Sequence, residues 1–248
     1  DNFTYIHGAA ESERNRRPSR YFANACIENS TQSNKEITRG NIIVRWNCKL
    51  INYSDEKVEL LVFQEAKKGN AESGDTYYVS KHEDFMLCAI ADGLGNGPIA
   101  KESADVIPNI LEQYPEETLD NLLLKCNELM VQKRGAAVAL VKIDYKAQTI
   151  SYSCVGNIKF YMYQRSTGKM IYPLPVMGYL SGRKQKINTQ TYPCAKDDLF
   201  LLHSDGVVMK SPKSTIKESS GTKCLYETVY KEIEHGDDAT FIVGSLLS

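Results

Sequence analysis

The chain has 248 residues, of which 42% are hydrophobic and 25% charged, and its formal net charge is −1. These values are typical of a soluble globular protein and exclude an intrinsically disordered chain. The balanced charge argues against electrostatic nucleic-acid binding, and the longest apolar run, Phe85–Ala91, is far too short to cross a membrane. The sequence does not begin with a signal peptide, so we predict a cytoplasmic protein without nucleic-acid or membrane partners.

Residues 1–50 differ in composition from the rest of the chain. They contain eight Lys and Arg residues against five Asp and Glu residues, which leaves +3 there and −4 on residues 51–248. Their polar runs have no sustained period of 2 or 3.6, and only Asn41–Trp46 could form a strand. Such a segment buries too little apolar surface to offset its ordering entropy. We predict a disordered or loosely docked tail, or sequence foreign to the native protein; a basic RNA- or lipid-binding arm is the alternative.

After this tail the pattern becomes regular. Three strands are predicted, over Val58–Phe63, Thr76–Ser80 and Phe85–Ala91. The last of them is apolar throughout, which predicts a central position in a sheet. A helical stretch over Ile99–Gln113 follows, with a bend or break before Pro108 because proline disrupts a helix interior.

A second helix is predicted from the spacing of its apolar residues. They fall on one helix face, and Glu116 and Glu117 complement the positive end of the helix. The residues on this face, which we expect to be buried, are Leu119, Leu122, Leu123, Cys126, Leu129 and Met130.

The remainder of the chain is again rich in strands. Short turns join the predicted strands Ala136–Asp144, Thr149–Val155 and Ile158–Gln164, which implies an antiparallel meander, and Ser166–Lys169 predicts a further hairpin turn. The last predicted elements are strands over Lys186–Tyr192, Leu199–His203 and Thr240–Leu246, and a helix marked by Leu225, Val229 and Ile233. Without a linker after residue 51, residues 51–248 are predicted to form one α+β domain.

Four aspartates stand where a predicted strand meets a turn: Asp75, Asp92, Asp205 and Asp237. A carboxylate at a strand end is held by the sheet and faces solvent, which suits hard cations that prefer oxygen ligands and keep bound water. Asp92 and Asp205 each precede a glycine, which would let the backbone turn sharply and bring its carbonyl toward the same ion. The alternative is that Asp-Gly is ordinary turn chemistry.

Two other kinds of site have weaker support. The glycine-rich stretch Asp92–Gly97 could wrap a nucleotide phosphate, as in anti-sigma-type ATP-binding kinases, but those kinases need an earlier helix, and strands precede Asp92 here. His203 and Ser204 are neighbours on a predicted strand, so their side chains point to opposite faces and cannot act as a pair. The seven cysteines lie at least 22 positions apart and indicate reduced, structural thiols rather than a zinc or redox site.

Six short motifs, taken in order, resemble those of the metal-dependent protein phosphatase family (PPM, phosphatase-2C-like), and most closely its compact bacterial branch of sporulation and stress phosphatases. The resemblance covers roughly residues 53–248. The motifs are Gly74-Asp75, Ala91-Asp92-Gly93, Arg134-Gly135-Ala136-Ala137, Val155-Gly156-Asn157, Ser204-Asp205-Gly206 and Asp237-Asp238-Ala239-Thr240.

The resemblance implies an αββα sandwich, two antiparallel sheets flanked by helices, with a site for two Mn²⁺ or Mg²⁺ ions. Asp92 would bridge both ions, Asp75 and the Gly93 carbonyl would bind one, and Asp205 and Asp237 would bind the other. Asp238 replaces the usual Asn and would support the ligands without touching metal. Gly135 and Asn157 match positions where small size or a turn is needed.

The function implied by the resemblance is metal-dependent hydrolysis of phosphoserine or phosphothreonine in proteins. The implied substrates are phosphorylated antagonist proteins of a bacterial general stress-response complex. Alternatives are the ATP-binding kinase above and a catalytically silent, phosphatase-like binding module. The sequence also departs from the family: no phosphate-binding Arg occurs around Lys67–Asn70, and Leu94-Gly95 replaces a frequent His. The metals are therefore expected to hold the phosphate.

Overall fold

The computed structural model describes residues 50–233 and 236–247, so the tail predicted over residues 1–50 lies outside the described residues except for Leu50. The described elements follow one another in this order: β1 (Ile51–Asn52), β2 (Val58–Glu65), β3 (Asp75–Lys81), β4 (Phe85–Gly93), α1 (Gly97–Ala104), α2 (Val106–Gln113), α3 (Leu119–Glu128), β5 (Ala136–Asp144), β6 (Thr149–Val155), β7 (Lys159–Gln164), β8 (Lys169–Ile171), β9 (Thr189–Pro193), β10 (Leu199–His203), α4 (Pro212–Glu218), α5 (Thr222–Tyr230) and β11 (Ala239–Leu246).

The strands form two antiparallel sheets. One sheet has the order β1-β2-β11-β10-β7-β8 and the other the order β3-β4-β5-β6-β9. Apolar residues alternate along β4: Met86, Cys88 and Ile90 belong to the cluster between the sheets, whereas Phe85 and Leu87 pack with α2 and α3 on the outer face. A third cluster joins the other sheet to α4 and α5. The predicted αββα sandwich is therefore confirmed.

The predicted central strand and the predicted break in the first helical stretch are also confirmed. The strand predicted over Phe85–Ala91 is β4, which lies between β3 and β5 and is buried on both faces. The helical stretch predicted over Ile99–Gln113 is divided at Asp105 into α1 and α2. Pro108 falls in the first turn of α2, where its missing N–H has no intrahelical partner to lose.

The predicted three-stranded meander is wrong in its last strand. β5 pairs with β6, but β6 pairs next with β9, and β7 joins β10 and β8 in the opposite sheet. The chain changes sheets after Gly156, whose φ of 135° lies in a region that favours glycine. Sequence spacing indicated a short connection here, and it did not distinguish a hairpin from a crossing between sheets.

Smaller corrections concern element ends. α3 ends at Glu128, and the chain continues through tight turns in which Leu129 N donates to Cys126 O, so the Leu129 side chain is 51% exposed rather than buried. The strand predicted over Lys186–Tyr192 is confined to β9 (Thr189–Pro193), and α4 was not predicted. Ile233 lies beyond α5 but is buried.

The buried face of α3 gives a direct test of this packing. Leu123 is fully buried against the five-stranded sheet, whereas its neighbour Leu124 is 46% exposed. We expect Leu123→Ala to lower the free energy of unfolding by about 2–5 kcal/mol, because the lost methyl groups leave a cavity. Leu124→Ala removes the same atoms from the surface and is the matched control. Urea denaturation measures both, and equal effects of the two changes would contradict this orientation of α3.

Candidate functional site

Asp75 and Asp92 lie directly opposite each other at one end of the five-stranded sheet. They are register partners in the antiparallel pair β3–β4. Asp92 continues the inward alternation of Met86, Cys88 and Ile90, so it stands at the edge of the space between the sheets. Asp75 is buried, and Gln64 from the opposite sheet donates to its carbonyl oxygen at 2.9 Å. This end of β3 therefore contacts both sheets.

Asp205 and Asp237 stand at the corresponding end of the other sheet. Asp205 comes just after β10 and Asp237 just before β11, and these two strands are antiparallel neighbours. Their ends are joined beyond the ladder, because Ser204 N donates to Thr240 O at 2.9 Å and Thr240 N donates to Ser204 Oγ at 3.0 Å. The antiparallel pairing thus brings the last residues of β10 beside the first residues of β11.

The acidic groups of the two sheets interact electrostatically. Burial, and after it the nearby carboxylates of Asp205, Asp237 and Asp238, together raise the pKa of Asp92 to about 7. The pKa of Asp75 is also well above its usual value, because the group is buried and Asp92 lies nearby. Four acids predicted from separate motifs therefore form one cluster, together with Asp238.

This cluster fits a divalent cation. Asp75 Oδ2 is buried and has no hydrogen-bond partner among the described residues, and repulsion from neighbouring carboxylates disfavours charge on Asp92. Within residues 50–233 and 236–247, no three His, Cys, Asp or Glu side chains lie close enough together to coordinate one metal ion as they stand. Like charges keep carboxylates apart, and a cation among them would relieve that repulsion and supply a partner for the buried oxygen. Oxygen-only donors are those that Mg²⁺ and Mn²⁺ prefer.

The structure gives Asn157 a contact that the sequence did not indicate. Its Nδ2 donates to Asp205 Oδ2 at 2.8 Å, so this side chain orients one of the candidate ligands. The expectation for Gly135 was small size, and a Cβ there would lie 2.5 Å from Leu180 O. The motifs alone could not separate these two roles, because the contacts of both residues are with residues far away in the chain.

The reason for the two Asp-Gly pairs differs from the one expected. Neither Gly93 nor Gly206 is among the residues with positive φ, so a sharp left-handed turn does not explain them. Instead, a Cβ on Gly93 would lie 1.8 Å from Ala100 O, and a Cβ on Gly206 would lie 2.0 Å from Asp238 O. Glycine is needed at both positions because another backbone passes directly over it.

Asp238 holds the loop between β2 and β3 in place. Its Oδ1 accepts from Lys67 N at 2.8 Å and its Oδ2 accepts from Gly74 N at 2.9 Å. Lys67 Nζ also lies 3.8 Å from Asp237 Oδ1. Both carboxylate oxygens of Asp238 are thus engaged by the backbone just before Asp75, which accounts for an acid where an amide was expected.

This contact predicts a specific effect of Asp238→Asn. An amide offers only one acceptor oxygen, and its NH₂ group would face the second backbone N–H. We expect the free energy of unfolding to fall by about 1–3 kcal/mol, the cost of leaving a buried donor without a partner. Asp144→Asn is the matched control, because only Oδ1 of Asp144 accepts a backbone N–H, from Ala147. Urea denaturation measures both variants. If the two substitutions lower the free energy of unfolding equally, Asp238 does not depend on both of its carboxylate oxygens.

The weaker alternatives receive no support from the geometry. Strand β4 leads directly into the glycine-rich stretch, and no helix precedes it among the described residues, unlike the kinase arrangement. His203 Nδ1 donates to the carbonyl oxygen of Ser204 at 2.8 Å, and Ser204 Oγ contacts the Thr240 backbone.

The five cysteines within the described ranges are free thiols. None of the described helices is long and apolar enough to span a membrane.

Comparison with known proteins connects this arrangement to a set of phosphatases. The family Stage II sporulation protein E (SpoIIE) matches residues 82–243. Phosphoserine phosphatase RsbX from Bacillus subtilis (strain 168) is 35% identical over 198 residues, which cover 77% of this chain and 96% of that protein. The SpoIIE match includes Asp92, Asp205 and Asp237, and Asp75 lies just before its first residue.

Several solved structures, among them phosphatases, have a similar fold. A crystal structure of RsbX in complex with magnesium has a TM-score of 0.76 and 32% identity, and covers 79% of this chain and 99% of its own. A chain solved in work on the bacterial stressosome has a TM-score of 0.67 and 25% identity, covering 76% and 99%. The phosphatase PstP with two manganese ions shares the fold, with a TM-score of 0.59 and 16% identity, covering 77% and 99%.

Proposed function

The chain belongs to the PPM/SpoIIE phosphatase family, and on this basis we propose that it is an RsbX-like, metal-dependent phosphoserine phosphatase of stressosome signalling. The observation that carries the proposal is the meeting of Asp75, Asp92, Asp205 and Asp237 at one end of the two sheets. RsbX, which matches over most of both chains, is named as a phosphoserine phosphatase and has been solved with magnesium.

The proposed ligands follow from the positions of these side chains. Asp92 is proposed to bridge two Mn²⁺ or Mg²⁺ ions, with Asp75 and the Gly93 carbonyl on one and Asp205 and Asp237 on the other. Asp92 suits the bridging role because the acids that raise its pKa come from the opposite sheet, so it lies between the two halves of the cluster. When bound, two divalent ions lower the pKa of water and neutralise charge on a phosphoryl group.

The chain's own residues favour direct hydrolysis over a covalent phospho-enzyme. The hydroxyl of Ser204 is buried between the backbone of Thr240 and the carboxylate of Asp75, which is itself a proposed metal ligand, so it is not free to attack a phosphoryl group. Burial raises the pKa values of Cys88, Cys126 and Cys154 to about 12, so these thiols stay protonated and are poor nucleophiles. We therefore propose a single displacement by water, with Asn157 and Asp238 holding the acidic residues in position.

The proposed substrates are phosphorylated antagonist proteins of a bacterial stress-response complex, in the cytoplasm. The support is the likeness to RsbX and to a chain from a study of the bacterial stressosome. An acidic site at the end of a sandwich is open to a phosphoserine on the surface of a protein, and phosphothreonine presents the same phosphoryl group.

Hydrolysis of para-nitrophenyl phosphate and of a phosphoserine protein, with and without Mn²⁺, tests the proposal. We expect turnover that EDTA abolishes and that added Mn²⁺ or Mg²⁺ restores. ATP binding measured by calorimetry would instead indicate the kinase alternative. Metal binding without turnover of either substrate would indicate a silent binding module, and activity that persists after EDTA would overturn the metal requirement.

A further inference from the structure

Arg134 lies beside the turn that follows Asp92. The β4–β5 pairing joins Gly93 to Ala136 and is extended by a hydrogen bond from Leu94 N to Gly135 O at 2.9 Å. Arg134, the next residue outward, therefore stands opposite the turn. A Cβ on Gly95 would lie 3.9 Å from Arg134 Cδ, so the aliphatic part of this side chain runs alongside that turn.

The guanidinium of Arg134 has no partner in the part of the chain that the structure describes. It is exposed, and among residues 50–233 and 236–247 it makes neither an ion pair nor a hydrogen bond. Two other cations in this region are engaged: Lys133 Nζ lies 2.7 Å from Glu102 Oε1, and Lys67 Nζ lies 3.8 Å from Asp237 Oδ1. Unlike these two lysines, Arg134 has side-chain donors that are free for a ligand.

We propose that Arg134 binds the phosphoryl oxygens of the substrate, an inference that rests on the proposed function. A phosphomonoester is an anion, and it must approach a site lined by carboxylates. A planar guanidinium offers two parallel N–H donors that match two phosphoryl oxygens, and it remains charged at any working pH. Because Arg134 has no ion pair to break among the described residues, its charge is available to the incoming anion.

This assignment revises the expectation that metal ions alone hold the phosphate. The sequence has no phosphate-binding arginine near Lys67–Asn70, before β3. Arg134 comes from a different element, the loop before β5, and reaches the same end of the sheet through the pairing of β4 with β5. The location is visible only in the structure, since 42 positions separate Arg134 from Asp92 in the chain.

The test compares Arg134→Gln, Arg134→Lys and the control Lys133→Gln. Lys133→Gln removes the same charge one residue away, from a side chain already paired with Glu102. We expect Arg134→Gln to lower kcat/KM for para-nitrophenyl phosphate by roughly 10- to 100-fold, the usual range for one charged hydrogen-bonding group. Arg134→Lys should recover part of this loss, and Lys133→Gln should stay within about twofold of wild type because its charge is already neutralised.

Two further measurements separate phosphate binding from other roles. Orthophosphate should inhibit Arg134→Gln less strongly, by the same factor, while the Mn²⁺ concentration for half-activation stays unchanged. Unchanged hydrolysis of para-nitrophenyl phosphate would overturn the proposal. So would a loss confined to the phosphoserine protein, which would place Arg134 against the protein part of the substrate, or a shifted Mn²⁺ requirement, which would make it a support for the metal site.

Calorimetry with orthophosphate keeps this inference distinct from the proposed function. If the wild-type protein with Mn²⁺ binds orthophosphate but hydrolyses nothing, the proposed function fails, and weaker binding by Arg134→Gln still supports the contact. Equal binding by Arg134→Gln and wild type overturns the contact whether or not the enzyme is active. Absence of orthophosphate binding by the wild-type protein with Mn²⁺ overturns it as well.

Discussion

Asp92→Asn is expected to lower turnover by at least about 10³-fold at saturating Mn²⁺. The substitution keeps the shape of the side chain but removes a charge that interacts with Asp205, Asp237 and Asp238 from the opposite sheet as well as with Asp75. If Asp92 bridges two ions, its loss weakens both, and the electrostatic stabilisation of the transition state falls by several kcal/mol. Each 1.4 kcal/mol corresponds to about tenfold in rate.

Asp75→Asn provides the comparison for this prediction. Asp75 is proposed to bind one ion only, so its loss should be smaller, and raised Mn²⁺ should restore part of the activity. Asp144→Asn removes a charge from the opposite end of β5 and should leave turnover within about twofold of wild type. Steady-state hydrolysis of para-nitrophenyl phosphate across a Mn²⁺ series measures all three. Retention of more than about a tenth of wild-type turnover by Asp92→Asn would exclude the bridging role.

Much of the scaffold was predictable because it depends on local patterns. The apolar run of β4 indicated a strand buried on both faces, and the spacing of Leu119, Leu122 and Leu123 indicated the buried face of α3. The sheet that receives β7 was not predictable, because a short turn carries the chain equally well into a hairpin or across to the other sheet. Helix α4 contributes only Ile216 to the buried core, so its periodic signal was too weak to detect.

The candidate site also had a part that the sequence predicted and a part that it did not. The candidate ligands could be named because each stands at a strand end within a recognisable motif. Their supporting contacts could not, because they join residues far apart in the chain: Asn157 to Asp205, and Asp238 to the backbone of Lys67 and Gly74. The purpose of Gly93 was misjudged for the same reason, since the backbone that excludes a side chain there belongs to α1.

Gly93 is the position at which the fold and the candidate site depend most directly on each other. A Cβ on this residue would lie 1.8 Å from Ala100 O, 2.4 Å from its carbonyl carbon and 2.9 Å from its Cα. These are backbone atoms in the middle of α1, so no side-chain rotation can relieve the clash. Either α1 or the end of β4 must move, and β4 carries Asp92 at the adjacent position.

Gly93→Ala is therefore expected to lower both stability and activity. Overpacking of this kind costs about 1–3 kcal/mol or more in the free energy of unfolding, and a shift of about 1 Å in Asp92 would reduce turnover by roughly 10²-fold. Gly221→Ala is the matched control, since its φ of 177° suits any residue and no atom lies within 4 Å of the added Cβ. Urea denaturation and turnover at saturating Mn²⁺ measure the two effects. Wild-type values for Gly93→Ala in both would show that α1 can withdraw freely, and that its packing does not position Asp92.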